Sequence, residues 1–288
     1  MSDYKTIIYE QGLITKIIHN EPETGNTFNE TFQEEYVDAL KRFEWDKESS
    51  IALITARGKD FCTGIDLSRY IGNHKEAEKF SHYTEVDWRY EYEKLTSIFL
   101  SIWDCRKTLV CAAQGACLDI GEDFLLAHDV IIMAEDAYIG APMMRLSKAG
   151  FGLLGNFVGY RIAMEHYLTG WNMSSSELHR HHVINRVVPT EKLETAGEKY
   201  AKIISFMPKE GLKITKNSIK FSINRRGARE SIIYNTGMNI DGQMASKYQG
   251  PQIEFYKALA EKGVEAALQL RDSPYELYGY DRQRVTEI

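Results

Sequence analysis

The chain has 288 residues, 43% of them hydrophobic, with 35 basic against 41 acidic side chains and a formal net charge of −6. That is enough apolar chain for one large α/β domain or a domain with an appended helical part, and the acidic balance argues against a nucleic-acid partner. No apolar run reaches the length of a membrane span, MSDYKTIIYEQG lacks the basic and apolar regions of a secretory leader, and the final VTEI is not a peroxisomal tripeptide, so a cytoplasmic protein is expected.

In chain order, residues 5–9 (KTIIY) and 13–18 (LITKII) read as two short strands about Gln11-Gly12, a hairpin at the start of a sheet. After a loop over 19–28, Asn29 stands as the cap of a helix to about residue 46, its apolar stripe being Phe32, Tyr36 or Val37, Leu40 and Phe43. Ile51–Ala56 (IALITA) has the continuous apolar character of a buried strand, and Gly64 in the RGKDFCTGIDL that follows lets the backbone swing close to a ligand. Residues 76–105 read as a helical region rich in rings: Tyr83, Trp88, Tyr90, Tyr92, Phe99 and Trp103. Such a cluster serves a core, a subunit interface or an apolar pocket. Residues 109–134 (LVCAAQGACLDIGEDFLLAHDVIIMA) give an apolar strand, a Gly-containing turn, a short acidic helix and a second apolar strand. Helices are expected over about 159–169 and 174–181, the latter opened by a Ser174–Glu177 capping box. The tail reads as helical over about 191–206, 209–223 after a break at Pro208, and 254–270.

A strand that turns into a helix leaves the first helical N–H groups unpaired and aims the positive end of the helix dipole at whatever sits above them. The turn within 109–134 therefore suits an anion, and the Gly64 turn offers a second N–H converging on it. On these residues the chain resembles the crotonase (enoyl-CoA hydratase/isomerase) superfamily. Residues 61–67 stand at an F-x-x-G-x-D-[LI] segment and 114–123 at an N-G-x-x-x-G-G-G-x-E segment. Agreement continues through 128–134 and 137–140, at Leu168-Thr169-Gly170, at 174–177 and 183–189, and from Gly263 to Tyr275. The resemblance spans about residues 5–275. It implies an α/β fold with a crotonase-like ββα spiral core over 1–190 and a C-terminal helical trimerisation region over 191–288, in homotrimers or hexamers whose tails pack on neighbouring subunits.

The resemblance also implies a site. The N–H groups of Ile65 and Ile120 form an oxyanion hole, Asp123 stands for the first of two hydratase glutamates with Glu122 beside it, and Asp119, Met143 and Trp88 line the substrate pocket. Coenzyme A enters only as part of the substrate, a small carbonyl compound or acyl-CoA, and no metal is implied.

Neighbouring helical positions point about 100° apart, so only one of Glu122 and Asp123 faces the substrate. Asp119 joins that face, or else simply caps the helix while Glu122 is solvated. Met143 occupies the second glutamate's place, and methionine moves no proton. Three readings stay open: a single-carboxylate acyl-CoA isomerase, lyase or decarboxylase; a CoA-independent C–C bond (β-diketone) hydrolase; and a silent crotonase-fold assembly subunit. Residues 19–28 contain no Lys or Arg, and Glu21 stands where relatives commonly hold a basic residue near the CoA phosphates. The basic residues of 213–229 either offset it or form a solvated helix face. Cys62, Cys105, Cys111 and Cys117 read as reduced core residues. The spacing of His179, His181 and His182 cannot aim three imidazoles at one metal ion from a helix.

Overall fold

The structure, a computed structural model, describes residues 4–68, 71, 83–146, 150–246 and 250–276. The strands are β1 (Ile7–Glu10), β2 (Ile14–His19), β3 (Ile51–Ala56), β4 (Thr108–Ala113), β5 (Ala116–Leu118), β6 (Val130–Ala134), β7 (Tyr138–Gly140), β8 (Met173–Ser174) and β9 (Arg186–Val188). They form a six-stranded sheet ordered β1-β2-β3-β4-β6-β9 and a three-stranded sheet ordered β5-β7-β8. β1 pairs antiparallel with β2, and the rest of the larger sheet is parallel. Every residue of β4 is buried, as expected of a central parallel strand covered on both faces. β5 lies inside the segment expected to be only a turn. It is too short to carry a periodic signal and is fixed by its pairing with β7.

The helices are α1 (Glu30–Trp45), α2 (Glu85–Trp103), α3 (Ile120–Leu126), α4 (Tyr160–Thr169), α5 (Ser175–Arg180), α6 (Leu193–Ile204), α7 (Lys209–Asn224), α8 (Ala228–Ser246), α9 (Pro251–Lys262) and α10 (Val264–Glu276). Asn29 caps α1 as expected, its side chain accepting the Phe32 N–H at 2.8 Å, and the Ser174–Glu177 box opens α5. α2 starts at a Thr84–Asp87 capping box; the expected earlier part of that region, over 76–82, lies outside the described residues. The single helix expected over 254–270 is two helices, because Gly263 adopts φ 86° and breaks the chain between α9 and α10.

Two packing features position the site. α6 lies close on the sheet because Gly197 has no side chain: a Cβ there would stand 3.0 Å from Leu53 and 3.1 Å from Ala112. On the other side, the His19 ring has centroids of Phe32, Phe61 and Phe124 at 4.9, 5.0 and 5.2 Å, and the Tyr36 hydroxyl lies 3.1 Å from His128 Nε2. This aromatic box ties the ends of β2 and β3, α1 and α3 into one unit.

The C-terminal helices correct one expectation. Lys216 and Lys220 of α7 are not a solvated face: their Nζ atoms lie 2.5 and 3.5 Å from the Asp129 carboxylate, and Lys220 sits 3.7 Å over the Trp103 ring. Burial pushes the Lys220 amine down to about 8. Asp129 immediately precedes β6, at the N-terminal ends of the parallel strands, whereas Glu21 follows the C-terminal end of β2. These lysines therefore cannot offset Glu21. Glu21 itself accepts from Asn29 Nδ2 at 2.8 Å and organises its own loop.

Candidate active site

The turns after β3 and β4 are stitched together by main-chain hydrogen bonds. Cys62 N–H donates to Ala116 O at 3.1 Å, and Leu118 N–H donates to Cys62 O at 2.9 Å, forming a parallel bridge between Cys62 and Cys117. Phe28 N–H donates to Gly64 O at 2.8 Å and Asp66 N–H donates to Phe28 O at 3.0 Å. With the groups on either side of Ile65 turned toward Phe28, the Ile65 N–H faces away from that bridge.

Gly64 has φ 104°, and a Cβ on it would meet Leu118 O at 3.3 Å and the Asp119 carboxylate at 3.5 Å. The residues just before Ile65 and Ile120 thus lie close together, with no room for a side chain at 64 to extend between them. Ile120 is the first residue of α3, whose opening N–H groups have no partner within the helix. Gly121 packs directly on the bridge, where a Cβ would stand 2.5 Å from Cys62 O and 2.9 Å from its Sγ.

Asp119 has φ 53°, and its side chain makes no capping bond to α3. Its carboxylate instead accepts the Met143 N–H at 2.9 Å, so it does not occupy the helix N–H groups. Asp119 and Met143 are thereby brought together. Met143 lies in the 3₁₀ turn Pro142–Leu146, and its sulfur accepts from Arg271 Nη1 of α10 at 3.4 Å. The buried Asp272 carboxylate next to Arg271 lies 2.8 Å from Arg145 Nη1 and 2.7 Å from Arg271 Nε, so α10 of this chain closes over its own 142–146 turn. Tyr275 lies under the Arg145 guanidinium at 4.1 Å, while Tyr278 and Tyr280 fall outside the described residues.

Both acidic residues of α3 are 1% exposed, which overturns the solvated position considered for Glu122. The Glu122 carboxylate lies 2.8 Å from His166 Nε2 and accepts the Tyr167 hydroxyl at 2.9 Å. Burial opposes charge on His166, yet the Glu122 carboxylate beside it leaves the imidazole raised above its ordinary range. Asp123 accepts the Phe151 N–H at 2.7 Å on one oxygen and the Leu153 N–H at 3.1 Å on the other. Burial, followed by the neighbouring Glu122 charge, pushes the Asp123 carboxyl up to about 7. An ionised carboxylate offers about four acceptor positions, so these two N–H groups leave Asp123 able to take a proton.

Trp88 is buried among Tyr83 and Tyr92, with ring centroids 4.9 and 6.2 Å away. The ring of α2 that reaches the 150–153 loop is Phe99, with its centroid 4.5 Å from Phe151. That loop is held from α8 as well, by hydrogen bonds from Asn235 to Phe151 O and from Asn239 to Gly150 O. Cys62 lies beside the turns, but burial pushes its thiol up to about 12, far from a nucleophilic thiolate. Among the described residues no three His, Cys, Asp or Glu side chains are grouped to hold a metal.

His166, Tyr167 and Arg271 were missed in the sequence. The first two directly precede Leu168-Thr169-Gly170, and a polar pair on the inner side of an otherwise ordinary helix was the available signal. Arg271 carries no signal, because its place depends on how the tail folds back.

A mostly parallel sheet whose β3 and β4 turns are bridged side by side, the second opening into a helix that carries buried carboxylates, is a crotonase-type architecture. The family model described as enoyl-CoA hydratase/isomerase matches residues 9–260, and the chain belongs to that family, one of hydratase- and isomerase-type enzymes. It is similar to a protein named Delta(3,5)-Delta(2,4)-dienoyl-CoA isomerase, peroxisomal, of Arabidopsis thaliana, with 29% identity over 62% of this chain and 67% of the relative. A 1,2-epoxyphenylacetyl-CoA isomerase of Escherichia coli is 27% identical over 73% of this chain and 79% of its own. The crystal structure of an enoyl-CoA hydratase/isomerase from Xanthobacter autotrophicus Py2 superposes with a TM-score of 0.85 at 24% identity, covering 94% of this chain and 98% of that one.

Proposed function

We propose that the protein is a single-carboxylate acyl-CoA enzyme of isomerase type, with the Ile65 and Ile120 N–H groups as the oxyanion hole and Asp123 as the proton carrier. The observation that supports this reading is the Cys62–Cys117 bridge, which joins the two turns so closely that a Cβ on Gly64 would meet Leu118 O and the Asp119 carboxylate. Two N–H donors aimed at a thioester oxygen stabilise the enolate form, and each such donor is worth roughly a hundred- to a thousandfold in rate. Asp123 takes a proton from the α carbon of a β,γ-unsaturated thioester, the electron pair is held on the thioester oxygen, and the same carboxyl returns the proton at the γ carbon. No water is added. A carboxyl poised near neutrality suits both transfers. Met143 in place of a second carboxylate weighs against hydration, and the Glu122 pairing with His166 and Tyr167 weighs against Glu122 as the base.

Exposed apolar side chains support a homotrimer or hexamer. Tyr160, Met164 and Leu168 repeat along one side of α4, and α7 fully buries no apolar residue while Ile214 and Phe221 lie open. The four free, buried cysteines support a reducing compartment such as the cytoplasm.

The test is deuterium uptake at the α carbon of saturated and β,γ-unsaturated acyl-CoAs in D₂O, read by mass spectrometry, alongside thermal unfolding with millimolar CoA. Exchange that is lost in Asp123→Asn, with a rise in unfolding temperature on adding CoA, is expected. No exchange and no rise across the panel overturns the reading. One observation favours the CoA-independent C–C hydrolase in that event: Glu21 is held in its loop by Asn29, and the lysines of α7 lie at the far end of the sheet. Release of carboxylate from free β-diketones is then the assay.

A further inference from the structure

We propose that Glu122, His166 and Tyr167 form a positioning array for Asp123: Glu122 does not move protons to substrate but is locked as the anionic half of a buried pair, so that Asp123 alone carries the exchangeable proton. The inference rests on Asp123 being the proton carrier, and it assigns roles to two residues of α4 that no resemblance supplies.

The geometry fixes the array. α3 begins with adjacent carboxylates, both buried, which without a nearby cation would share one proton between them. α4 supplies both partners of Glu122 from consecutive positions, His166 Nε2 at 2.8 Å from one oxygen and the Tyr167 hydroxyl at 2.9 Å from the other. The two rings stand 5.0 Å apart at 70°, so His166 and Tyr167 approach the carboxylate from different directions and hold one oxygen each. Asp123, one residue on, points elsewhere and is held only by N–H groups of the 150–153 loop.

The groups that set the charge around Asp123 are Glu122 on its own helix, His166 and Tyr167 on α4, and the main-chain N–H groups of Phe151 and Leu153. Cys117 of β5 also senses Glu122 but stays protonated, since burial holds its thiol well above the ordinary range. Of these side chains His166 is the one that can be a cation. It neutralises Glu122, and it tempers the repulsion that Glu122 exerts on Asp123. Removing either half of the pair shifts the Asp123 titration in a direction set by the sign of the charge lost. A residue that only filled space would not impose opposite signs.

The experiment is a ¹³C and ¹⁵N NMR titration of the full chain, following the Asp123 carboxyl, assigned by its loss in Asp123→Asn, and the His166 imidazole. Glu122→Gln is expected to move the Asp123 midpoint down and to bring His166 down with it. His166→Gln is expected to move carboxyl protonation up by about one pH unit, a tenfold change in proton affinity. Tyr167→Phe keeps the ring and removes one donor to Glu122, and it tests the same coupling with little disturbance of the fold, with a smaller upward movement expected. Midpoints that stay put, or that move in one direction in Glu122→Gln and His166→Gln alike, overturn the array. Turnover retained in Asp123→Asn would instead sink the assignment of Asp123 as proton carrier, and it leaves the NMR coupling to be judged on its own result.

Discussion

Gly121→Ala tests whether the two turns must be held as tightly as the structure shows. The added methyl would stand 2.5 Å from Cys62 O, 2.9 Å from its Sγ and 3.0 Å from its Cβ, all inside a fully buried core. Relief to ordinary contact needs a displacement of roughly one ångström, and the nearest atom is main-chain, so a side-chain rotation cannot provide it. The Cys62 carbonyl that must move accepts the Leu118 N–H at 2.9 Å, the bond that joins the turns. Overpacking of this kind costs about 1–3 kcal/mol, and a weakened buried hydrogen bond about 1 kcal/mol more. For a chain of this size the sum lowers the unfolding temperature by roughly 5–15 °C. On the proposed assignment of Ile65 and Ile120, loss of register between them removes the benefit of one oxyanion donor, and a fall of about a hundredfold or more in acyl-CoA proton exchange is expected. Thermal unfolding and the deuterium assay, run beside Gly155→Ala, read both quantities. A Cβ at Gly155 meets nothing within 4 Å, and that variant is expected to behave as the parent. A Gly121→Ala protein with unchanged stability and exchange would refute the claim that the bridge builds the site.

The aromatic box makes stability fall in acid. His19 is buried with its imidazole lowered to about 3, and His128 is lowered to about 4, burial being the leading cause for both. The unfolded chain binds these protons below about pH 6.5 while the folded chain does not, so stability present above that pH is lost as pH falls toward 4, by an amount on the order of 3 kcal/mol for His19. Asp123, raised when folded, works in the opposite direction over about pH 4–7. His19→Phe is therefore expected to flatten the acid loss measured by urea unfolding at pH 7 and 4.5; an unchanged difference between the two pH values sinks the assignment. Asp272→Ala leaves Arg145 and Arg271 without the carboxylate between them. A loss of about 3–5 kcal/mol is expected, with faster proteolysis in α10. An unchanged unfolding curve would show that the cluster contributes little.

Periodicity located the main strands and the first helix because their burial is local and regular: Ile51–Ala56 is found with its predicted bounds, and α1 carries the predicted stripe. The fold class followed from ordered motifs along the chain, and Asp119 and Met143 do meet. The roles of the two α3 carboxylates were not legible, because they depend on partners dozens of residues away. Glu122 is decided by His166 and Tyr167 on another helix, and Asp123 by N–H groups of a loop that has no periodic pattern. The break at Gly263 was visible as a glycine but looked like an interior one, since both flanking segments have helical composition. The placement of Lys216 and Lys220 required knowing which end of the sheet α7 crosses.

The stitching of the two turns consists of amides and carbonyls rather than side chains. Any amino acid other than proline presents the same N–H at positions 65 and 120, so substitution there keeps the donor, whereas a side chain at Gly64 or Gly121 would meet the facing turn. On the proposed assignment, specificity can be rewritten around a fixed electrostatic centre: the side chains at the turns can change with the substrate, while the groups that would hold negative charge belong to the main chain.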